Sequence, residues 1–134
     1  MQYLLAKGGK VRIHPSSSVG KEVPGEQRNF HFVYYEKVET SQVYLRSISE
    51  CTPLALAFFG GNLRMVPAAD SPSGSAQVLI DGWITFDAGT RLANLLVGLR
   101  DALDHVVAQK FNSPSTPLAS HPVMQAVCHA LANN

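Results

Sequence analysis

The chain has 134 residues, of which 46% are hydrophobic and 16% are charged, with a formal net charge of +1. These values are ordinary for one soluble globular domain with a real core, and no apolar run approaches the roughly 18 residues that a membrane-spanning helix needs. The two cysteines, Cys51 and Cys128, are too few and too far apart to predict a disulfide framework or a zinc site. Because no signal-peptide pattern opens the chain, we expect an intracellular protein, cytoplasmic or nuclear.

The charge is unevenly distributed along the chain. Residues 1–46 hold seven Lys or Arg and four Glu, which gives +3, whereas residues 47–134 hold four Lys or Arg and six acidic residues, which gives −2. This asymmetry indicates an anion-facing first part and a structural second part. Tight and autonomous binding of nucleic acid usually requires a more basic surface than this one.

The first two-thirds of the chain has the pattern of short β-strands separated by turns. The predicted strands are Tyr3–Ala6, Lys10–His14, Phe30–Val38, Gln42–Ile48, Asn62–Val66, Ala76–Ile80 and Trp83–Phe86. Gly8-Gly9, Thr40-Ser41 and Asp81-Gly82 are the predicted tight turns, and Pro15–Asn29 and Pro67–Ser75 are the predicted loops.

Three segments have helical signals. Thr52-Pro53 followed by Leu54–Phe59 predicts a short helix that Gly60-Gly61 ends. From Asp87, a candidate N-cap, the apolar residues Leu92, Leu95, Leu96, Leu99, Leu103 and Val107 recur at helical spacing, and Asn112-Ser113-Pro114 ends this long helix. A linker over Ser115–Pro122 then leads to a last helix over Val123–Ala132. The predicted fold class is therefore mainly β, an oligonucleotide-binding-fold-like small barrel with an inserted short helix and a long C-terminal helix.

Two polar clusters are the candidates for a binding surface. One is Arg12 to Ser18, with His14, Ser16 and Ser17, and the other runs from Glu36-Lys37 through Thr40-Ser41 to Arg46. Cations, hydroxyls and an imidazole at strand ends are typical of sites that hold a single-stranded polyanion, and Tyr34, Tyr35 or Tyr44 could stack on bases. The alternative is that both clusters are ordinary polar turns, and the residues alone do not decide between the two.

Enzymatic chemistry has little support in this sequence. Gly8-Gly9-Lys10 lacks the spacing of a phosphate-binding loop, and no carboxylate is placed to orient His14 beside the serines. Asp101, Asp104 and His105 share a helix face, as metal ligands can, but a solvated face explains them better. We therefore predict no catalytic and no metal-binding residues.

A series of landmarks over residues 7–114 nevertheless points to one family. They are His14-Pro15-Ser16-Ser17, Tyr34-Tyr35-Glu36-Lys37, Thr40-Ser41, Leu45-Arg46, Pro53-Leu54-Ala55-Leu56, Phe59-Gly60-Gly61 and Asp81-Gly82-Trp83, followed by a helix from Leu96 to Pro114. In this order they resemble the C-terminal oligonucleotide-binding-fold domain of DEAH-box and RHA-type RNA helicases. The family commonly has Val-Asn after His-Pro-Ser-Ser, whereas this chain inserts Ser18 before Val19 and has Gly20 in place of Asn.

The resemblance implies an accessory domain that contacts single-stranded RNA, with Arg12, His14, Ser16, Ser17, Lys37, Thr40, Ser41 and Arg46 as the RNA-binding residues. It also implies contacts with the helicase motor domains of the same parent chain and, in some members, with an activating partner protein. Because the motor's sequence motifs do not occur here, we expect no cofactor in this part, and ATP and Mg in a parent RNA helicase. The alternative is a protein-interaction module that docks onto motor domains or partner proteins. We expect the oligonucleotide-binding domain with its closing helix over 1–112, and a linker with a short helix over 113–134.

Overall fold

The computed structural model describes residues 4–19, 31–67 and 75–133. The chain divides into two compact units, residues 1–52 and 53–134. Seven strands and three helices occur within the described ranges. Among the predictions, Tyr3, Gly20, Phe30 and most of the two long loops lie outside the described residues. The predicted domain division at residue 112 stays a prediction.

The first unit is one four-stranded sheet in the order β1-β2-β4-β3. Its strands are β1 (Leu4–Ala6), β2 (Gly9–Ile13), β3 (His31–Glu39) and β4 (Val43–Cys51). The β1–β2 and β3–β4 pairs are antiparallel, whereas β2 and β4 are parallel. The predicted tight turn between β1 and β2 is present but lies one residue earlier, because Lys7-Gly8 connect the strands and Gly9 already pairs with Ala6 as the first residue of β2. Gly8 and Gly9 both have a positive φ, +104° and +131°, which glycine adopts readily.

The core of the first unit lies along β2 and β4. Val11, Leu45 and Ile48 are buried and pack with partly buried apolar side chains from the same sheet. Leu45 and Ile48 are three residues apart, which breaks the simple alternation expected along a strand. Ser47 between them has a φ of +50°, so the backbone turns locally and both side chains reach the core.

The second unit combines three helices with an antiparallel sheet in the order β5-β6-β7. Its elements are α1 (Pro53–Phe59), β5 (Leu63–Pro67), β6 (Ser75–Ile80), β7 (Ile84–Gly89), α2 (Thr90–Asn112) and α3 (Pro122–Ala132). The predicted short helix, the long helix and the last helix are thereby confirmed in their order and nearly in their bounds. Among the described residues, no helix is both long enough and apolar enough to cross a membrane.

The predicted turn at Asp81-Gly82 is confirmed and also shapes the end of α1. Asp81 and Gly82 have φ values of +52° and +76°, the pattern of a type I′ turn. The Asp81 carboxylate accepts a hydrogen bond from the backbone N–H of Asn62 at 3.0 Å. A Cβ on Gly61 would lie only 1.8 Å from that carboxylate, so a larger residue there would have to displace the Asp81 side chain.

The prediction that Asp87 caps the long helix is wrong. Asp87 lies in β7, where its carboxylate accepts a hydrogen bond from the Gln77 side chain on β6 at 2.8 Å. The N-cap is Gly89, which offers no side-chain acceptor. The strand therefore continues for three more cross-strand pairs, Asp87 with Gln77, Ala88 with Ala76 and Gly89 with Ser75, before the helix begins.

The predicted apolar stripe of α2 is wrong in part. Of the predicted set, Leu103 is buried and Leu96 and Leu99 are partly buried against the core, and Ala93 and Val106 are buried as well. Leu92, Leu95 and Val107 are exposed by 53%, 61% and 38% of their surface. Ala93 is fully buried and joins Ala76, Val78 and Ile80 in the core.

A second cluster of the same unit joins all three helices. Phe58 of α1, Leu103 of α2 and Val127 of α3 are buried together. Arg100 of α2 supports this junction, because its guanidinium donates to the carbonyl oxygens of Ala57 at 3.0 Å and Gly60 at 2.9 Å. These carbonyls are at the end of α1, where no further turn of helix satisfies them.

Candidate nucleic-acid interface

A polar concavity of about 500 Å³ lies in the first unit, where β2 ends beside the middle of β4. Its lining consists of His14, Ser16, Ser17, Ser18, Arg46, Ser47 and Ile48. The parallel pairs Arg12 with Tyr44 and Ile13 with Leu45 place the next residue, His14, beside Arg46. The backbone N–H of His14 continues the ladder by donating to the Leu45 carbonyl at 3.0 Å. Two segments about thirty residues apart in sequence thus form one surface.

The loop after β2 is a β-turn that presents the serines. The N–H of Ser17 donates to the carbonyl of His14 at 2.9 Å, which places Pro15 at the second turn position. Proline is favoured there because its fixed φ matches that position. Ser16 and Ser18 are exposed and Ser17 is half-buried, so three hydroxyls follow one another around the rim of the concavity.

His14 is held by hydrogen bonds at both ring nitrogens. Arg46 Nη2 lies 3.0 Å from Nε2, and Ser16 Oγ lies 2.6 Å from Nδ1. The backbone N–H of Ser16 also donates to Nδ1, at 3.1 Å, so hydrogen-bond donors face the imidazole from both sides. The Tyr44 ring packs edge-on against the imidazole with the ring centroids 5.7 Å apart.

Ser47 adds a constrained backbone to the same surface. Its φ of +50° lies in the left-handed region, which non-glycine residues adopt at a cost of about 1–3 kcal/mol. Such conformations persist only where the surroundings determine them, and they are concentrated at functional sites. Here the conformation brings Ser47 into the lining of the concavity while Ile48 points to the core.

The chemistry of the concavity suits an anion. It offers one guanidinium, the hydroxyls of three loop serines and Ser47, and an imidazole within a short distance of one another. Charge-assisted bonds from a guanidinium to phosphate oxygen are stronger than neutral ones, and short hydroxyls add donors at close range. Glu36 lies opposite Arg46 in the β3–β4 ladder and reduces the positive potential on that side.

The structure brings together four of the eight predicted residues, namely His14, Ser16, Ser17 and Arg46. Arg12 precedes His14 by two residues on β2 and is half-buried. Lys37 lies on β3 opposite Leu45, one pair away from Arg46. Thr40 and Ser41 form the β3–β4 turn, where Thr40 N–H donates to the Gln42 carbonyl at 2.9 Å. The strand from Val43 to Arg46 spans roughly 10 Å, so this turn lies outside the concavity.

Three residues of the lining are not among the predicted binding residues, namely Ser18, Ser47 and Ile48. Ser18 directly follows the predicted binding residues Ser16 and Ser17, so the same run of serines indicates it. Nothing local in the sequence marks Ser47, because its backbone conformation depends on the packing of Leu45 and Ile48.

The second unit carries an apolar groove of about 180 Å³ beside α1 and α2. Its lining includes Leu54, Phe86, Leu92 and Leu96. Leu92 is exposed by 53% of its surface, and Phe59, at the end of α1, by 64%. Phe59 does not belong to the lining of this groove.

The helix-face group around Asp104 is engaged in other contacts. Arg100 forms an ion pair with Asp104 at 2.9 Å, and His105 Nε2 lies 3.3 Å from the Gln109 side-chain amide. Over the described ranges, no three His, Cys, Asp or Glu side chains converge as metal ligands would.

Two family models match the chain in sequence. The model for an oligonucleotide/oligosaccharide-binding (OB) fold matches residues 1–63, and the model for the C-terminal domain in RNA helicases matches residues 76–133. The first match contains the whole concavity. The chain belongs to the C-terminal OB-fold domains of DEAH-box RNA helicases. This assignment confirms the family resemblance and the predicted fold class.

Curated helicases of this family are similar over most of the chain. The ATP-dependent DNA/RNA helicase DHX36 of Mus musculus is 36% identical over 86% of this chain and 10% of its own length. The ATP-dependent RNA helicase DHX29 of Homo sapiens is 30% identical over 89% of this chain and 8% of its own length. The DExH-box ATP-dependent RNA helicase DExH1 of Arabidopsis thaliana is 33% identical over 80% of this chain and 10% of its own length.

The chain therefore spans about a tenth of the length of the curated relatives it matches. What it shares with them is an accessory domain of helicases, and the activities in their names belong to those proteins.

Proposed function

We propose that the first unit of this chain binds single-stranded RNA through the concavity of His14, Ser16, Ser17 and Arg46, as an accessory domain of a larger RNA helicase. The supporting observation is the convergence of β2 and β4, which places a guanidinium, an imidazole and several hydroxyls around one open surface. No carboxylate belongs to the lining of this surface, so no acidic side chain of the lining competes with phosphate oxygens for its donors.

The parent protein in this proposal is an ATP-dependent RNA helicase, and ATP and Mg act in its motor domains. The names of the curated relatives support that assignment. The domain contributes contacts to RNA and to the motor, and the chemistry of ATP hydrolysis takes place elsewhere in the parent. Lys37, Thr40, Ser41 and Arg12 extend the RNA path along the same sheet beyond the concavity.

The direct test is binding of fluorescein-labelled oligo-U, measured by anisotropy at several salt concentrations. Binding to phosphates gives a log affinity that falls with log salt at about −0.7 per contact on a single strand. Arg46→Ala should weaken binding and reduce the slope by about one contact. Arg64→Ala is the matched control, because Arg64 is an exposed arginine on β5 of the second unit.

The RNA proposal is wrong if oligo-U affinity is independent of salt, or if Arg46→Ala and Arg64→Ala weaken binding equally. Circular dichroism of both variants shows whether the fold is retained, since neither side chain belongs to the buried core.

A second function rests on the apolar surface of the second unit, where Leu92, Leu95 and Phe59 are exposed. In this proposal the surface docks onto the parent's motor domains or onto an activating partner protein. Phe59→Ala should reduce co-elution with the motor domains in size-exclusion chromatography. The double variant His14→Ala/Ser17→Ala should leave co-elution unchanged, and the reverse result would assign docking to the polar concavity.

A further inference from the structure

Tyr34 of β3 borders the concavity across the β3–β4 ladder. It pairs with Ile48, and Ile48 belongs to the lining of the concavity. Two residues further along β3, Glu36 pairs with Arg46, which also belongs to the lining. Tyr34 is thereby the diagonal neighbour of Arg46, at a separation of about 7–8 Å that aromatic and long side chains can bridge. An aromatic ring therefore lies beside the surface that is proposed to hold a phosphate.

The Tyr34 side chain is partly covered and partly accessible. It is exposed by 46% of its surface, so its neighbours restrict the ring while leaving much of it open to a ligand. Within the described residues, no hydrogen bond and no contact with another ring engages it. A tyrosine offers a large rigid contact area, and fixing it on a ligand costs little conformational entropy. These properties suit a ring on which a nucleobase stacks.

The adjacent tyrosine, Tyr35, differs from Tyr34 in both respects. It is exposed by 90% of its surface, so little of the protein restricts its ring. Successive side chains along a strand point to opposite faces, so Tyr35 points away from the face that Tyr34 shares with Glu36. Of the two neighbouring tyrosines, Tyr34 is therefore the one placed beside Arg46, and Tyr35 provides a matched control.

We propose that a nucleobase of the bound strand stacks on Tyr34 while a phosphate of the same strand lies in the concavity beside Arg46. This inference rests on the RNA-binding function proposed above and adds the contact that reads the base. Every base has a π-face, so stacking tolerates any sequence, and the preferences it produces follow stacking strength. Because a purine has a larger face than a pyrimidine, the site favours strands that place a purine on Tyr34.

The test is fluorescence anisotropy of the whole chain with three labelled strands of equal length: oligo-U, oligo-U with one central adenosine, and a strand of abasic spacer phosphodiesters. All three carry the same phosphate charge, so differences among them report contacts with bases. We expect the adenosine strand to bind most tightly and the abasic strand most weakly. The loss from oligo-U to the abasic strand should be about fivefold or more, the lower end of what one stacked base contributes.

Substitutions of Tyr34 separate stacking from phosphate binding. Tyr34→Leu should weaken the binding of oligo-U about fivefold or more, abolish the advantage of the adenosine strand, and leave the affinity for the abasic strand unchanged. Its salt slope should equal that of the wild type, because no charged contact is removed. Tyr34→Phe keeps the aromatic ring and should bind like the wild type, and Tyr35→Leu is expected to have little effect on any strand.

Two results overturn the stacking contact while leaving RNA binding intact: equal affinities of the wild type for all three strands, or equal losses in Tyr34→Leu and Tyr35→Leu. Absence of binding of every strand by the wild type at every salt concentration overturns the RNA function itself. The comparison of strands on the wild type does not depend on any variant. It therefore decides the question even where Tyr34→Leu folds poorly.

Discussion

Glu36 of β3 lies directly opposite Arg46 of β4 in the antiparallel ladder. Opposed side chains in such a ladder lie on one face, about 5 Å apart at their Cβ atoms. The carboxylate therefore weakens the attraction of Arg46 for an anion, and we predict that Glu36→Gln strengthens oligo-U binding. A unit charge at roughly 6 Å in water contributes about 0.7 kcal/mol, or about a threefold change in affinity. Anisotropy titrations at low salt measure this change.

Glu39→Gln is the control for this prediction. It removes the same charge, but Glu39 pairs with Val43 at the far end of the ladder, next to the turn. Its effect should be smaller and should disappear first as salt is raised, because screening removes interactions between distant exposed charges. An equal gain in both variants would mean that only net charge matters, and weaker binding by Glu36→Gln would exclude a phosphate beside Arg46.

The elements of the fold follow from local signals wherever backbone chemistry decides them. Asp81-Gly82 predicts its turn because few other residue pairs tolerate two positive φ values in succession. Asn112-Ser113-Pro114 predicts the end of α2 for a similar local reason. The start of that helix could not be found in this way, because an aspartate at position 87 is compatible both with an N-cap and with a strand residue that bonds Gln77. The pairing of β6 with β7 decides that Asp87 belongs to the strand.

The candidate site was predictable in its residue types but not in its assembly. The loop with His14 and the strand with Arg46 both have polar signals of their own in the sequence. Their contact requires β2 and β4 to run parallel, which is a non-local pairing that alternation along each strand does not contain. Because β2 pairs with β4 at Tyr44 and Leu45, the concavity forms at Arg46, and the turn at Thr40-Ser41 before the start of β4 lies outside it.

Arg100 should stabilise the second unit through the end of α1. Its side chain is exposed by only 14% and donates to the carbonyls of Ala57 and Gly60. We predict that Arg100→Met lowers the free energy of unfolding by about 2–3 kcal/mol, because hydrogen bonds from a charged donor are lost and two carbonyls lose their partner. Urea denaturation followed by circular dichroism measures the change.

Arg91→Met is the matched control for Arg100→Met, since Arg91 is exposed in the first turn of the same helix. It should change stability by less than about 0.5 kcal/mol, as surface substitutions usually do. Asp104→Asn should also have a small effect, because Asp104 is 61% exposed and its ion pair with Arg100 is accessible to solvent. A loss in Asp104→Asn as large as in Arg100→Met would assign the stability to the ion pair instead.

The glycines Gly61 and Gly98 should respond to alanine in opposite directions. A Cβ on Gly61 meets the Asp81 carboxylate and displaces it from the Asn62 N–H, so Gly61→Ala should destabilise by about 1–3 kcal/mol. A Cβ on Gly98, within α2, meets nothing within 4 Å. Gly98→Ala should therefore stabilise by about 0.5–1 kcal/mol through helix propensity. Thermal unfolding of the two variants side by side gives the signs, and a stabilising Gly61→Ala would contradict the close approach of Asp81.

The two cysteines should differ in their reactivity towards iodoacetamide. Burial raises the pKa of the Cys51 thiol, so at a given pH a smaller fraction is the reactive thiolate. Cys128 is exposed on α3, whereas Cys51 is half-buried at the end of β4. We predict that Cys128 is alkylated first at neutral pH, and that the difference in rate narrows as the pH rises and Cys51 ionises. Peptide mass spectrometry at timed intervals follows both sites. In urea, where the burial is lost, the two rates should converge, and equal rates in the folded protein would show that Cys51 is not desolvated.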